Sequence, residues 1–167
     1  MRHIFAIALL FGTSPAFAAP KNPQVDYAGF RALTRQVEPT RAARLLPLAA
    51  FQAKAATKGA LILDARSKDA FAAGHIAGAV NLPITDFTAE SLAEVIGKHH
   101  DRPILIYCNN NFSNHKAPVA LKAAPLSLNI QTFINLTGYG YANVWELASV
   151  ADFNDPKVGW VVSAPSA

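Results

Sequence analysis

The sequence is poor in cysteine and in charge, and each shortage excludes a class of protein. A single cysteine among 167 residues excludes an internal disulfide framework, an iron–sulfur cluster and any zinc site built from several cysteines. Charged residues make up 16% of the chain and hydrophobic residues 51%, a balance that excludes general disorder. Beyond the N-terminus no apolar run reaches the roughly 18 residues of a membrane span. We therefore expect one folded domain without a span after signal cleavage.

The first 18 residues have the pattern of a secretory signal peptide. Arg2 gives a basic start, residues 4–11 form an apolar run, and residues 16–18 read Ala-Phe-Ala, a pattern typical of a cleavage site. A buried N-terminal helix is the alternative, but Gly12 and Pro15 would interrupt it. We predict cleavage after residue 18, which leaves 167 minus 18, or 149, residues. The mature protein is then expected to be periplasmic or secreted.

Positive charge is concentrated in the first third of the mature chain. Residues 21–58 hold seven basic residues against two acidic ones, a net charge of +5. Such a segment can bind an acidic protein partner, or it can be a solvated helix face, because its charges are spaced rather than clustered. Basic and aromatic residues do not interleave in a nucleic-acid-binding motif, so we expect no nucleic-acid partner.

Apolar runs alternate with helical patterns along the chain, which predicts an α/β fold with a mainly parallel sheet and helices on both faces. Strands are expected at residues 45–46, 60–63, 79–82, 103–107 and 143–147, with 103–107 the most central. The first helix is capped by Asp26 and is expected to end before Pro39. Residues 126–137 fit a strand as well as a helix. We predict a helix ending at Gly138, because a parallel sheet needs a crossover there.

Cys108 directly follows the most central predicted strand, where ligands bind in open α/β sheets. The polar loop after it consists of Asn109, Asn110, Asn111, Phe112, Ser113 and Asn114. A helical pattern then begins at Ala117, and the loop N–H groups and the N-terminus of that helix can both stabilise a thiolate. His115 and Lys116 can add positive charge at the rim. A buried, inert thiol is the alternative, and the strand-to-loop position favours a reactive one.

Three stretches of the sequence resemble the rhodanese-like family. They are LILDAR at residues 61–66, GHIAGAVNLP at 74–83 and ILIYC at 104–108, with a further resemblance at 140–147. The resemblance covers residues 45–150 and implies a three-layer fold whose cysteine takes up a sulfane sulfur and passes it to a nucleophile. It makes Cys108 the sulfur-carrying residue and the loop at 109–114 its cradle.

Other residues within this resemblance are expected to be structural. Asp64 and Arg66 suit a buried ion pair at a strand end, and His75 suits a hydrogen bond to the backbone more than the role of a catalytic base. No group of residues has the spacing of metal ligands, and we expect neither a metal nor another cofactor.

The loop departs from the family pattern. Many rhodanese-like domains carry an arginine five residues after the cysteine, and phosphatases of this fold carry one six residues after it. Ser113 and Asn114 occupy these positions here. A phosphoryl group needs such a cation in its transition state, so we expect no phosphatase activity.

The favoured function is an exported sulfurtransferase or persulfide carrier. Its donor would be thiosulfate-like or a persulfide, and its acceptor a thiol or similar nucleophile. The alternative is a non-catalytic rhodanese-like binding module for a partner protein or a small oxyanion, with the basic segment as a candidate protein contact. A thiol redox protein is disfavoured because there is no second cysteine. The predicted organisation is a signal peptide at 1–18, a basic helical extension at 19–44, a rhodanese-like domain at 45–150 and a tail at 151–167.

Overall fold

The computed structural model describes residues 22–162 of the chain. The predicted signal peptide lies outside the described residues. Within them no helix is long and apolar enough to cross a membrane. The helices are α1 (Tyr27–Ala42), α2 (Leu48–Ala55), α3 (Lys68–Ala72), α4 (Ala89–Val95) and α5 (Leu128–Gly138). The strands are β1 (Leu45–Leu46), β2 (Leu61–Asp64), β3 (His75–Ile76), β4 (Ala79–Asn81), β5 (Ile104–Tyr107), β6 (Val144–Leu147) and β7 (Trp160–Val161).

Five of the strands form one parallel sheet in the order β1-β6-β5-β2-β4. The prediction of a mainly parallel α/β sheet is confirmed, and β5 is its central strand as expected. Because all five strands run in the same direction, their carboxyl ends meet at one edge. Binding sites of open α/β sheets form at this edge.

The side chains of the central strands alternate between two hydrophobic layers. On one face, strand residues pack against α1, α4 and α5, and the layer includes Leu63, Ile104, Ile106, Val37, Leu92 and Phe133. On the other face they pack against α2 and the loops, and that layer includes Leu105, Tyr107, Leu147, Phe51, Phe112 and Val158. Both faces of the sheet are therefore covered, which explains why its strands read as nearly continuous apolar runs.

Helix α1 is longer than the sequence predicts and packs into the domain. The Oδ1 of Asp26 accepts a hydrogen bond from the N–H of Gly29 at 2.8 Å and caps the helix. The prediction that the helix ends before Pro39 is wrong, because it continues to Ala42 and contacts α5 and β6. Proline removes one N–H donor from the helix. The helix continues because the turns around the proline bury Val37 in the core and pair Arg41 with Glu146 of β6.

The helix predicted directly after the cysteine loop is not formed. Residues Asn109–Asn111 form one 3-10 turn, Ala124–Leu126 form another, and the chain between them is irregular. The alanine spacing is typical of a helix, but the carbonyls of this segment accept hydrogen bonds from loop side chains instead. The ambiguous segment at 126–137 is largely helical, and α5 ends at Gly138 as predicted.

Residues 151–162, predicted as a tail, also pack against the domain. Strand β7 pairs with β3 in an antiparallel ribbon. Trp160 contacts the rings of Phe112 and Phe153 at centroid distances of 4.9 and 5.2 Å, and Val158 is buried. The sequence around residues 160–161 carries no feature that relates it to residues 75–76, so this pairing could not be predicted.

Candidate functional site

Cys108 lies at the carboxyl end of β5, at the centre of the sheet edge. Its N–H donates to Oδ1 of Asn111 at 2.9 Å, and its Sγ lies 3.3 Å from Oγ of Ser127. Ser127 precedes the first residue of α5, so the N-terminus of an 11-residue helix lies at the sulfur. A helix N-terminus and a hydroxyl group both favour a thiolate. The helix that meets the sulfur is therefore α5, and not one that follows the loop directly.

The sulfur is enclosed by its neighbours, since Cys108 is only 1% exposed. The two asparagines that follow it hold residues 120–122 in place. The Nδ2 of Asn109 donates to the carbonyl of Ala120 at 2.7 Å, and the side chain of Asn110 bonds both the carbonyl and the N–H of Lys122, at 2.8 and 3.2 Å. A reactant can reach the sulfur only when the groups around it shift.

Three N–H groups of the loop are bonded to carbonyl oxygens and not to the sulfur. The N–H groups of Asn111 and Phe112 donate to the carbonyls of Cys108 and Asn109, and that of Ser113 donates to the carbonyl of Ala151. An inward-pointing ring of N–H groups is therefore not formed by these three residues. Two of these bonds stay within residues 108–112 and the third joins the loop to residue 151, so all three donors are satisfied.

The second half of the loop binds the C-terminal segment instead. Phe112 is fully buried in the second hydrophobic layer, and Nδ2 of Asn114 donates to Oδ1 of Asp152 at 2.7 Å. Hydrogen bonds from Asn114 and then Asn154 lower the pKa of Asp152 below its ordinary value. The backbone of residues 113 and 114, where related proteins carry an arginine, therefore lies on the side of the loop that faces residues 151–154.

The two residues of the predicted cationic rim contact different segments. The Nδ1 of His115 accepts the N–H of Leu121 at 3.1 Å, and Nζ of Lys116 lies 5.7 Å from the centre of the Phe153 ring. Among the hydrogen bonds of residues 22–162, neither side chain has Cys108 as a partner. The contacts of these two residues thus lie with Leu121 and Phe153, although the sequence places them only seven and eight positions after the cysteine.

Asp64 and Arg66 form a buried ion pair at the end of β2. Arg66 donates from Nη2 to Oδ2 of Asp64 at 2.6 Å and to the carbonyl of Gly74 at 2.7 Å. The hydroxyl of Tyr107 donates to the same Oδ2 at 2.6 Å and accepts the N–H of Ile76 at 3.1 Å. These bonds connect β2, β5 and β3, and Nη1 of Arg66 also donates to the carbonyl of Pro118 at 3.3 Å, so the cluster has a structural role.

The protonation of this cluster is set by its burial. Burial and the charge of Asp64 raise the pKa of Tyr107 well above its ordinary value, so its hydroxyl stays a donor. For Arg66 burial lowers the pKa, but the hydrogen bond and charge of Asp64 outweigh it, and the pKa is raised overall. His75 also has a structural contact, because its Nδ1 lies 2.8 Å from the carbonyl of Phe71 and the two rings stack at 3.7 Å.

A second buried polar network reaches Cys108 from the opposite side. Arg41 donates from Nε and Nη2 to the two carboxylate oxygens of Glu146, each at 2.6 Å. The Nδ2 of Asn129 donates to Oε1 of Glu146 at 3.2 Å and to Oδ1 of Asn111 at 2.9 Å, the same oxygen that accepts the N–H of Cys108. The sequence analysis missed Arg41, Ser127, Asn129 and Glu146. Its one available signal was an acidic residue within an otherwise apolar strand.

Two cavities adjoin the cysteine loop. One, of about 480 Å³, lies at the carboxyl ends of β2 and β4 and is lined by Arg66, Ser67, Lys68, Asp86, Asn109 and Lys122. The other, of about 360 Å³, is lined by Arg41, Asn110, Asn111, Ser127, Asn129 and Glu146. The first brings two lysines, Lys68 and Lys122, to one cavity, although they are distant in sequence. It is the more cationic of the two.

Part of the basic N-terminal segment is used within the domain. Besides the ion pair of Arg41, the guanidinium of Arg44 binds the carbonyl of Ala142 and lies over the Trp145 ring, 5.3 Å from its centre. The Nζ of Lys54 lies 3.9 Å from the same ring centre. These contacts anchor the segment to β6, which leaves fewer of its cations available to a partner.

A family model described as the rhodanese-like domain matches residues 48–149. The chain belongs to the rhodanese-like family. Two structures from the Alr3790 protein of Anabaena share the fold, each at a TM-score of 0.50. The crystal structure of the protein is 17% identical and covers 71% of this chain and 80% of its own, and the solution structure of its rhodanese-like domain is 18% identical and covers 74% and 86%.

The curated relatives match the rhodanese-like chain over shorter stretches. The uncharacterized protein YibN of Escherichia coli K12 is 38% identical over 47 residues, or 28% of this chain and 32% of that protein. The HTH-type transcriptional regulator Rv0324 of Mycobacterium tuberculosis is 40% identical over 63 residues, or 38% of this chain and 26% of the regulator. The match thus spans about a third or less of these relatives.

Proposed function

We propose that this rhodanese-like protein is an exported sulfurtransferase or persulfide carrier with Cys108 as its nucleophile. The observation that carries the proposal is the position of the sulfur, at the carboxyl end of β5, against the hydroxyl of Ser127 and the N-terminus of α5. Both groups stabilise a thiolate, which is the form that attacks sulfur.

The reaction needs no oxidant and no cofactor. The Cys108 thiolate attacks the outer sulfur of a donor such as thiosulfate, a sulfur–sulfur bond forms, and sulfite leaves with the bonding electron pair. A thiolate or cyanide acceptor then attacks the outer sulfur of the persulfide, and the Cys108 thiolate is released. This is the attack and displacement of thiol–disulfide exchange. It requires a shift of the neighbouring groups, because the sulfur is buried.

An anionic donor needs positive charge near the sulfur, and we propose that it comes from the first cavity, which Cys108 itself does not line but its neighbour Asn109 does. Lys68 and Lys122 are exposed and line this cavity together with Asn109, the neighbour of Cys108. They stand in place of the arginine that many rhodanese-like domains carry in the loop. We expect Lys122→Ala to raise the thiosulfate KM several-fold and to affect transfer from an alkyl persulfide less, because thiosulfate is a dianion and the persulfide anion carries a single charge. Lys157→Ala removes an exposed cation elsewhere and is the matched control.

Mass spectrometry of the purified protein after incubation with thiosulfate, and separately with a persulfide donor, tests the function. We expect the peptide that contains Cys108 to gain the mass of one sulfur atom and to lose it on addition of cyanide or a thiol. Cys108→Ser must abolish the gain. If no donor modifies Cys108 in a protein that is folded, sulfur transfer is excluded.

A non-catalytic binding module is the second candidate, and the enclosure of the sulfur favours it. Cys108 is 1% exposed, and three N–H groups of its loop are bonded to carbonyls. In this case Cys108 is a core residue, and the cationic cavity holds an oxyanion without reaction. Sulfate or thiosulfate would then raise the melting temperature equally in the wild-type protein and in Cys108→Ser, with no sulfur bound to either.

Export is proposed from the N-terminal sequence. Protein recovered from an exporting host should begin at Ala19, since residues 16–18 form the expected cleavage pattern. N-terminal sequencing measures this directly, and intact Met1 on soluble exported protein would contradict it. An oxidising compartment would favour persulfide chemistry over a permanently reduced thiol.

A further inference from the structure

We infer that Arg41 of helix α1 is a positioning residue for Cys108, acting through Glu146 and Asn129 on the thiol at the end of β5. Arg41 belongs to a segment that sequence analysis treats as an extension outside the domain. The structure instead makes it one end of a continuous set of hydrogen bonds that terminates at the cysteine backbone.

The two asparagines of this network each have their orientation fixed by at least two partners. The Nδ2 of Asn129 donates to oxygens of both Glu146 and Asn111. The opposite orientation of the amide would place the Oδ1 of Asn129 against these two acceptor oxygens and is therefore disfavoured. Its own Oδ1 has no partner within residues 22–162, although the residue is 3% exposed. Asn111 is held in turn by its Nδ2, which donates to the carbonyl of Leu147 at 2.7 Å. A buried network with such defined donors holds one arrangement.

The network also fixes the helix that meets the sulfur. Asn129 lies two residues after Ser127, in the first turn of α5, so the bonds of Asn129 to Asn111 and Glu146 hold this turn against the cysteine loop. They thereby keep the Ser127 hydroxyl at Sγ. Displacement of Glu146 would release the turn and change the surroundings of the thiol.

Charge balance gives the network a testable electrostatic property. Glu146 is 4% exposed and Arg41 is its counter-charge, with a side chain that is 29% exposed. Loss of the guanidinium leaves a buried negative charge, which opposes formation of the Cys108 thiolate, whereas loss of the carboxylate charge leaves a positive charge, which favours it. Elsewhere at this edge, Asp64 and Arg66 neutralise each other and Lys122 lines the first cavity.

The experiment is the rate of Cys108 alkylation by iodoacetamide between pH 6 and 10, in which the single cysteine is the only thiol. We expect Arg41→Met to move the midpoint of the pH profile upward and so to lower the rate at pH 7 several-fold relative to the plateau at high pH. We expect Glu146→Gln to move it downward. The double variant should return near the wild-type midpoint, and Arg41→Lys should retain it.

Opposite shifts distinguish positioning by charge from a merely structural role, since general loosening would move both single variants in the same direction. Arg35→Met is the matched control, because it removes an exposed arginine of the same helix. If Arg41→Met fails to fold, the Glu146→Gln arm and Arg41→Lys still decide the matter. Unchanged midpoints, or shifts of one sign, overturn the inference. The inference rests on the proposed function only because it takes the Cys108 thiol as the reacting group. Alkylation needs no sulfur donor, so the inference and the proposed function can fail separately.

Discussion

The Sγ of Cys108 lies 3.3 Å from the Oγ of Ser127, although the two residues are 19 positions apart in sequence. This contact joins the end of the central strand to the start of α5. The helix N-terminus at the sulfur is therefore that of α5, and not that of a helix directly after the loop. The surroundings of the thiol therefore depend on the fold of the whole segment 109–138.

Ser127→Ala should make Cys108 less reactive at neutral pH. The hydroxyl is a donor to the thiolate, and loss of a hydrogen bond to a charged group costs about 1.5 kcal/mol, or roughly tenfold. The ratio of the alkylation rate at pH 7 to the plateau at high pH should fall accordingly, and this ratio cancels any change in access to the sulfur. Ser113→Ala, whose hydroxyl bonds the carbonyl of Ala151, should leave the ratio unchanged. An unchanged ratio in Ser127→Ala would show that the hydroxyl does not act on the thiolate.

Arg66→Met should destabilise the domain by about 3–5 kcal/mol, because it leaves the carboxylate of Asp64 buried without its counter-charge. Urea unfolding followed by circular dichroism measures the change. Lys68→Met, two residues away and exposed, removes the same charge and should stay within about 0.5 kcal/mol of wild type. A loss for Arg66→Met as small as for Lys68→Met would refute a structural ion pair.

Tyr107→Phe should lower stability at neutral pH and weaken its dependence on alkaline pH. The hydroxyl bonds both Asp64 and the N–H of Ile76, and its loss should cost about 1–3 kcal/mol. Since the folded-state pKa of Tyr107 is raised, the unfolded chain releases this proton first as pH rises above about 10. That part of the stability is present below pH 10 and lost above it. Urea midpoints at pH 7, 9 and 11 should therefore converge for the two proteins, and a constant difference would contradict the shift.

The sheet could be predicted because burial on both faces leaves a clear pattern. The runs at 61–63 and 104–107 are continuous and apolar, and the position of Cys108 at the end of the central strand follows from the second run. The surroundings of that cysteine could not be predicted. Ser127, Asn129 and Glu146 come from a different helix and strand, and no spacing in the sequence relates them to residue 108.

Two wrong predictions have a common cause. Local preference alone predicts that α1 ends before Pro39 and that the alanines from residue 117 onward form a helix. Tertiary contacts decide both cases. The bond of Arg41 to Glu146 lies in the turn of α1 after the proline, and Asn109 binds the carbonyl of Ala120, which an α-helix would have used internally.

Gly74→Ala should destabilise the domain more than Gly78→Ala, which lies in the same β3–β4 region. A Cβ at Gly74 would lie 2.3 Å from Nε1 of Trp160, whereas a Cβ at Gly78 would meet nothing within 4 Å. Both glycines have positive φ, so both alanines carry the backbone cost of about 1 kcal/mol, and only Gly74→Ala must also displace the tryptophan that packs on Phe112. We expect a further loss of about 1–3 kcal/mol at Gly74, by analogy with overpacked cores. Urea unfolding of the two variants measures the difference. Trp160→Ala combined with Gly74→Ala should cost less than the sum of the two single changes, because the smaller side chain removes the clash; additive losses would place the cost in the backbone alone.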